Sequence, residues 1–349
     1  MKASAYFIVR QRWCQQMDTS LFLALLLWMT LVIMSPAIQA AQLLQNLDGK
    51  PLGGPASFGE LAMARNDDGS SARIMLGSGF PHGLNFFGQY YDYFYINNNG
   101  NISFTGRVGS YTPRSFPASS RPLIAPYWAD ADTRSSNVTH PNYNNIYYKI
   151  IEDEILITWY YIGYFKYSTN KLNAFQLHIK DRSEIAPGDF DVCFIYEQLQ
   201  WTTGSASGGY NGLGGTPAQA GFDAGDGRNY YKHQDSMTHE VINLTKNSNV
   251  GEKGVWCFEI RSGTIREAQP EALTDVRITL TLPKSGIEID DTTFASAPRR
   301  VFERDEQRIV IWDFETFSAQ QIEDLGFDFI IQDPIPGERR RVTDSLEVR

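Results

Sequence analysis

Cysteine is scarce, with three in 349 residues, which excludes a disulfide-dense mini-scaffold and paired C-x-x-C zinc knuckles. Histidine numbers five: His82, His140, His178, His233 and His239. No two stand at H-x-x-x-H spacing and no H-E-x-x-H run occurs, so the zinc-hydrolase pattern is absent. There is no G-x-S-x-G elbow, and Gly212-Leu213-Gly214-Gly215 lacks the Lys-Ser/Thr that a phosphate loop needs. Positive charge is also short: 31 Lys+Arg stand against 40 Asp+Glu, a net charge of -9. The one basic run, Arg339–Arg341, makes no stripe for a phosphate backbone, so nucleic acid is excluded as the main partner. Convincing helical periodicity is missing, and no apolar run after residue 40 reaches the ~20 residues that cross a bilayer.

What is present begins with a leader. Lys2, Arg10 and Arg12 precede an apolar run from Leu21 to Met34, and small residues at Ser35–Ala40 offer cleavage after Ala40. The rival reading is an uncleaved anchor, for which the run is short. Residues 1–40 are therefore expected to be a signal peptide, Cys14 leaves with them, and the remaining chain is secreted or at a cell surface with no membrane span. An even pair, Cys193 and Cys257, in an oxidising compartment points to one disulfide, with two buried free thiols as the alternative.

Residues 41–80 carry turn signals and little periodicity, and read as an irregular segment leading into the first domain. Asn97-Asn98-Asn99-Gly100 between apolar runs is a hairpin signal, because both turn residues tolerate positive φ. Strands follow over 146–150, 155–161, 174–179 and 190–199, the last with Phe190, Val192, Phe194 and Tyr196 on one face. Residues 204–229 are Gly-rich and read as a loop, and 235–248 as a short helix or turn. A composition change at 263–271 marks a linker. Beyond it, 276–282, 308–312 and 327–331 are strand-like, 318–322 is turn-like, and 272–349 reads as a small β-sandwich whose last strand is cut short.

The segment 81–262 resembles the NIDO domain, the extracellular module of nidogen, alpha-tectorin and a membrane mucin. The resemblance rests on six runs in order: Asn97–Phe104, Pro122–Thr133 (containing Ala125-Pro126-Tyr127-Trp128-Ala129-Asp130), Asn173–Gln176, Tyr196–Gly204, Ala218–Gly227 and Asn247–Trp256. It implies an all-β, NIDO-like β-sandwich without catalytic activity, in extracellular adhesion or matrix association. Residues 272–349 more loosely resemble the Ig-like repeats of bacterial surface proteins.

Asp130 and Asp132 stand two apart, so an extended backbone sets both on one side, where they can share a hard cation. Asp223 and Asp226 lie in a Gly-rich loop that can approach them, and four carboxylates plus carbonyls suit calcium. The favoured alternative is that these acids accept backbone N–H bonds and fix loops, with no cofactor. Tyr160, Tyr161, Tyr164, Phe165 and Tyr167 form an aromatic run at a strand end, readable either as core or as a binding surface. The sequence therefore points to a non-catalytic binder of a matrix or surface protein or glycan. The competing readings are a structural spacer and, behind it, a carbohydrate-active enzyme, for which no carboxylate pair stands out.

Overall fold

The computed structural model describes residues 9–11, 41–269, 273–283, 287–289, 298–317, 327–331 and 345–348. The chain divides into two compact units, Pro36–Gln269 and Pro270–Arg349 with Met1–Ser35.

The first unit is a sandwich of two antiparallel sheets. Its strands are β1 Glu60–Leu61, β2 Ile74–Met75, β3 Tyr93–Asn97, β4 Asn101–Ser103, β5 Leu123–Trp128, β6 Asn145–Ile151, β7 Glu154–Tyr164, β8 Ser168–Asp181, β9 Phe190–Gln198, β10 Gln219–Asp223, β11 Tyr230–Lys232, β12 Val255–Arg261 and β13 Thr264–Glu267. The larger sheet has the order β13-β12-β9-β8-β7-β6-β1 and the smaller β11-β10-β5-β4-β3-β2.

Alternation sets the inner face. Phe190, Val192, Phe194 and Tyr196 are all buried between the sheets, as are Ile155, Ile157 and Trp159 of β7. The Phe194 and Phe258 rings of the larger sheet lie 5.3 and 4.9 Å from Phe222 of the smaller one. An antiparallel sheet commonly leaves its other face wet. Here residues 41–58 cover that face: Leu43, Leu47, Leu52 and Phe58 pack on Tyr147, Leu156, Ala174 and Ile195. The Gln176 side chain clips the covering segment in place, accepting from the Leu44 amide at 3.0 Å and donating to the Leu44 carbonyl at 3.1 Å. Burying each such large apolar side chain is worth roughly 1.5–3 kcal/mol.

The structure differs from the sequence reading in two places. Gln219–Asp223, inside the expected loop, is a strand buried at all five positions. It lies between β5 and β11, and Gly221 lets β11 approach, since a Cβ there would fall 2.1 Å from the Tyr231 carbonyl oxygen. A strand buried on both faces shows no alternation. Thr264–Glu267, in the expected linker, forms the edge strand β13. The expected short helix is a 3-10 turn, His239–Thr245, capped by the Thr238 side chain.

In the second unit, strands β14 Leu273–Pro283, β15 Arg300–Arg304, β16 Gln307–Phe317 and β17 Ser345–Val348 form an antiparallel sheet in the order β15-β16-β14-β17, with Leu280, Val310 and Trp312 buried. Phe327–Ile331 pairs antiparallel with Ile287–Ile289 and parallel with Val9–Gln11. The rest of the expected leader, including the cleavage point, and the turn at 318–322 lie outside the described residues.

Candidate functional site

Cys193 of β9 and Cys257 of β12 are register partners, and their sulfurs are bonded. The disulfide thus crosses adjacent strands of the larger sheet.

The chemistry gathers at one end of the sandwich, where the β3–β4 hairpin organises its neighbours. The Asn97, Asn98 and Asn99 side chains are buried, so each of their polar atoms needs a partner. Asn97 Nδ2 donates to Asn101 Oδ1 and Ser103 Oγ, at 2.8 and 2.9 Å. Asn98 Nδ2 donates to the Ala131 carbonyl at 2.8 Å and its Oδ1 accepts from Thr133 Oγ1 at 3.0 Å. Asn99 Nδ2 donates to Asp68 Oδ1 at 2.7 Å, while its Oδ1 accepts the Ala131 amide at 2.9 Å. The turn therefore ties the 66–70 loop to the segment leaving β5. Gly100, at φ 74°, is required: a Cβ would lie 1.9 Å from the Tyr127 carbonyl oxygen.

The second tie is Asn173 on β8. Its Oδ1 accepts the amides of Gln200 and Trp201, at 2.7 and 3.1 Å, and its Nδ2 donates to the Trp201 carbonyl at 2.9 Å. Tyr127 Oη donates to the same carbonyl at 2.8 Å. Trp201 is fully buried. The chain then runs through Thr202-Thr203-Gly204 over Asp130, where a Cβ on residue 204 would stand 2.3 Å from Asp130 Oδ2.

The four acids singled out in the sequence do not meet. Asp132 accepts from Arg134 Nε and Nη2 at 2.9 and 2.6 Å, and from the Arg134 and Tyr167 amides at 3.0 and 2.9 Å. Burial pushes its pKa up, but these hydrogen bonds outweigh burial and hold it below the ordinary value. Asp223 accepts the amides of Ala118, Ser119 and Gly225. Asp226 is tied into its own turn by the Arg228 and Asn229 amides. Asp130 instead groups with Asp67 and Asp68, which sequence reasoning passed over as turn residues. One carboxylate oxygen from each of these three lies within 4.8 Å of the other two. Asp130 is 1% exposed, and its Oδ2, like Asp67 Oδ1, is buried without a hydrogen-bond partner. Burial first, then the charges of Asp68 and Asp67, push Asp130 up to about 7. Burial, then Asp132 and Asp68, raise Asp67 to about 6 against the nearby Arg134. Asp68 is raised mainly by burial.

The aromatic run is also divided. Tyr164 does not belong to a binding surface: it is 4% exposed, its ring 5.7 Å from Trp201 and its hydroxyl donating to Asn170. The register of β7 against β8 shifts between Trp159 and Ile162, which moves the inward face from odd to even positions and brings Tyr164 inward with Ile162. Tyr160 and Tyr161 are half-buried, in ring contact with Phe58, Tyr143 and Tyr147. Phe165 and Tyr167 sit at the β7–β8 turn, where the Arg134 guanidinium lies 4.1 Å from the Tyr167 ring centroid and 5.8 Å from that of Phe165. Tyr167 is exposed.

The segments that build this end, Asn97–Gly100, Ala129–Thr133 and Trp201–Gly204, are the motifs that carried the resemblance. Residues 92–262 match the family described as nidogen-like domain. The chain contains a NIDO domain. It is 34% identical over 224 residues to alpha-tectorin of Mus musculus, covering 56% of this chain and 10% of that protein. It is 29% identical over 215 residues to nidogen of Drosophila melanogaster, covering 55% and 15%. It is also 29% identical over 198 residues to dendrite extension defective protein 1 of Caenorhabditis elegans, covering 51% and 16%. The chain thus spans about a tenth of the length of the alpha-tectorin it matches. No solved structure matches it. Alpha-tectorin and nidogen are extracellular matrix proteins. Among the described residues no helix is long and apolar enough to cross a membrane.

Proposed function

We propose that this NIDO chain is a non-catalytic adhesion module that binds a matrix or surface protein or glycan through the loop end of its sandwich. One observation carries the reading: Tyr111, Tyr167 and Tyr210 are 40%, 52% and 89% exposed, and stand on three loops that are bonded to one another. Thr112 Oγ1 and Ser207 Oγ are 2.7 Å apart, the Ser205 amide donates to the Phe165 carbonyl at 2.9 Å, and Lys171 Nζ donates to the Asn211 carbonyl at 2.6 Å. Tyrosine presents a large amphipathic ring with few rotatable bonds, and loops already held in place lose little entropy on binding. Residues 272–349 act in this reading as an Ig-like spacer.

The test applies the full secreted chain to an array of immobilised matrix proteins and glycans. Saturable binding is expected, with at least a ten-fold loss in the Tyr111→Ala/Tyr167→Ala/Tyr210→Ala variant at unchanged thermal midpoint. Binding that the triple variant retains in full refutes the loop-end surface. Binding to nothing on the array puts the spacer role in its place.

A further inference from the structure

We propose that Asp67, Asp68 and Asp130 form a calcium site at the loop end of the NIDO sandwich. Three carboxylates from two separate chain segments converge to within 4.8 Å, oxygen to oxygen. Like charges at this range repel, and a protein draws them together only where something offsets the repulsion. Arg134 is the nearby cation, yet its bonds go to both oxygens of Asp132 and to Asp67 Oδ2, at 2.9 Å. Asp67 Oδ1 and Asp130 Oδ2 are buried without a hydrogen-bond partner, and the Ala206 and Ser207 amides near the Asp130 carboxyl offset its burial only in part. An unmet buried carboxylate oxygen costs more than an ordinary lost hydrogen bond. A proton on one acid serves a single oxygen, whereas a divalent cation serves all three groups at once.

The donors decide the class of metal. They are hard carboxylate oxygens with no sulfur or imidazole among them, which disfavours zinc and copper. Calcium accepts six to eight oxygens in an adaptable arrangement, while magnesium demands a near-ideal octahedron and sheds water reluctantly. Hydrogen bonds already hold the loops that carry these acids. Asn99 orients Asp68 through Oδ1 at 2.7 Å, Gly69 N donates to Asn66 Oδ1 at 2.6 Å to close the acidic loop, and the Gly204 backbone lies close over Asp130, where a Cβ would stand 2.3 Å from Oδ2.

The test of the site needs no partner. The full chain, stripped with EDTA and dialysed at pH 7.5, is titrated calorimetrically with calcium chloride and separately with magnesium chloride. One calcium per chain is expected, with a dissociation constant on the order of 10⁻⁴–10⁻³ M, the range of extracellular calcium modules. Asp130→Asn keeps the side-chain shape and is expected to weaken calcium at least 100-fold. Its thermal midpoint in EDTA is expected to be no lower than the parent's, which shows that it is folded. Asp226→Asn, an exposed acid outside the cluster, is expected to bind as the parent does. No calcium binding by the parent up to 10 mM, or equal binding by Asp130→Asn, overturns the site. Magnesium binding as tight as calcium overturns the assignment of the metal.

Discussion

Asn173 offers the sharpest test of how the loop end is held. Asn173→Ala removes one donor and one doubly used acceptor, all buried. The buried Trp201 amide loses its acceptor, at about 1–3 kcal/mol, and the Gln200 amide, at the exposed side, loses an ordinary hydrogen bond of about 0.5–1.5 kcal/mol. The Trp201 carbonyl keeps a donor in Tyr127 Oη. The expected loss is therefore about 2–4 kcal/mol. For a unit of this size each kcal/mol lowers the midpoint by about 2–4 °C, so a fall on the order of 10 °C is expected by differential scanning calorimetry. The shared carbonyl adds a signature that simple destabilisation does not. Tyr127→Phe and Asn173→Ala each leave it one donor, and only the double variant leaves it none, so the double loss exceeds the sum of the single ones by about 1–2 kcal/mol. Hydrogen exchange is expected to rise first across 200–216. A single-variant loss below about 1 kcal/mol, or strict additivity in the cycle, refutes this account.

Two further outcomes follow from particular side chains. Replacing both Cys193 and Cys257 with alanine opens a loop of 64 residues' separation and is expected to cost about 4 kcal/mol by chain entropy, read by urea titration of oxidised parent against variant. His233 is buried against the Trp256 ring, 4.4 Å away, with Asp235 and Glu267 the facing acids; burial depresses its pKa despite them. The unfolded chain then takes up a proton near pH 6.5 that the folded chain refuses, so stability is full above that pH and falls as the pH drops toward the folded value. His233→Gln is expected to flatten this part of a pH-stability curve, and an unchanged slope rules His233 out as its source.

Local patterning carried the sandwich but not its lid or its acidic cluster. Strands with one face toward the other sheet, such as Phe190–Gln198, advertise themselves by alternation, and the Asn97–Gly100 turn by its chemistry. Gln219–Asp223 was illegible because burial on both faces and small residues erase alternation. Residues 41–58 read as irregular because their leucines are spaced for lying across a sheet, without the period of a strand or helix. Cysteine parity anticipated the disulfide, which the register of β9 and β12 accounts for. The cluster is a product of topology. Asp67 and Asp68 look like ordinary turn acids until Asp67 bridges to Asp132 and Asn99 reaches Asp68, pairings between distant residues that no local spacing encodes. Tyr210 gave no signal either, since a tyrosine among glycines reads equally as buried or exposed until the loop is placed.

The cross-strand disulfide has a mechanical meaning. Tension applied from the carboxyl-terminal side first peels β13 from β12, then frees β12 from β9 rung by rung, starting at Ile260 and Phe190. At Cys257 the peeling meets a covalent bond to Cys193 and stops. Only Phe258–Gln269 has then been released, roughly 40 Å of slack at full extension. Beyond that point the load enters β9, held between β8 and β12 within the sheet. A tug on the tail lengthens the module by one bounded step and leaves its loop end assembled.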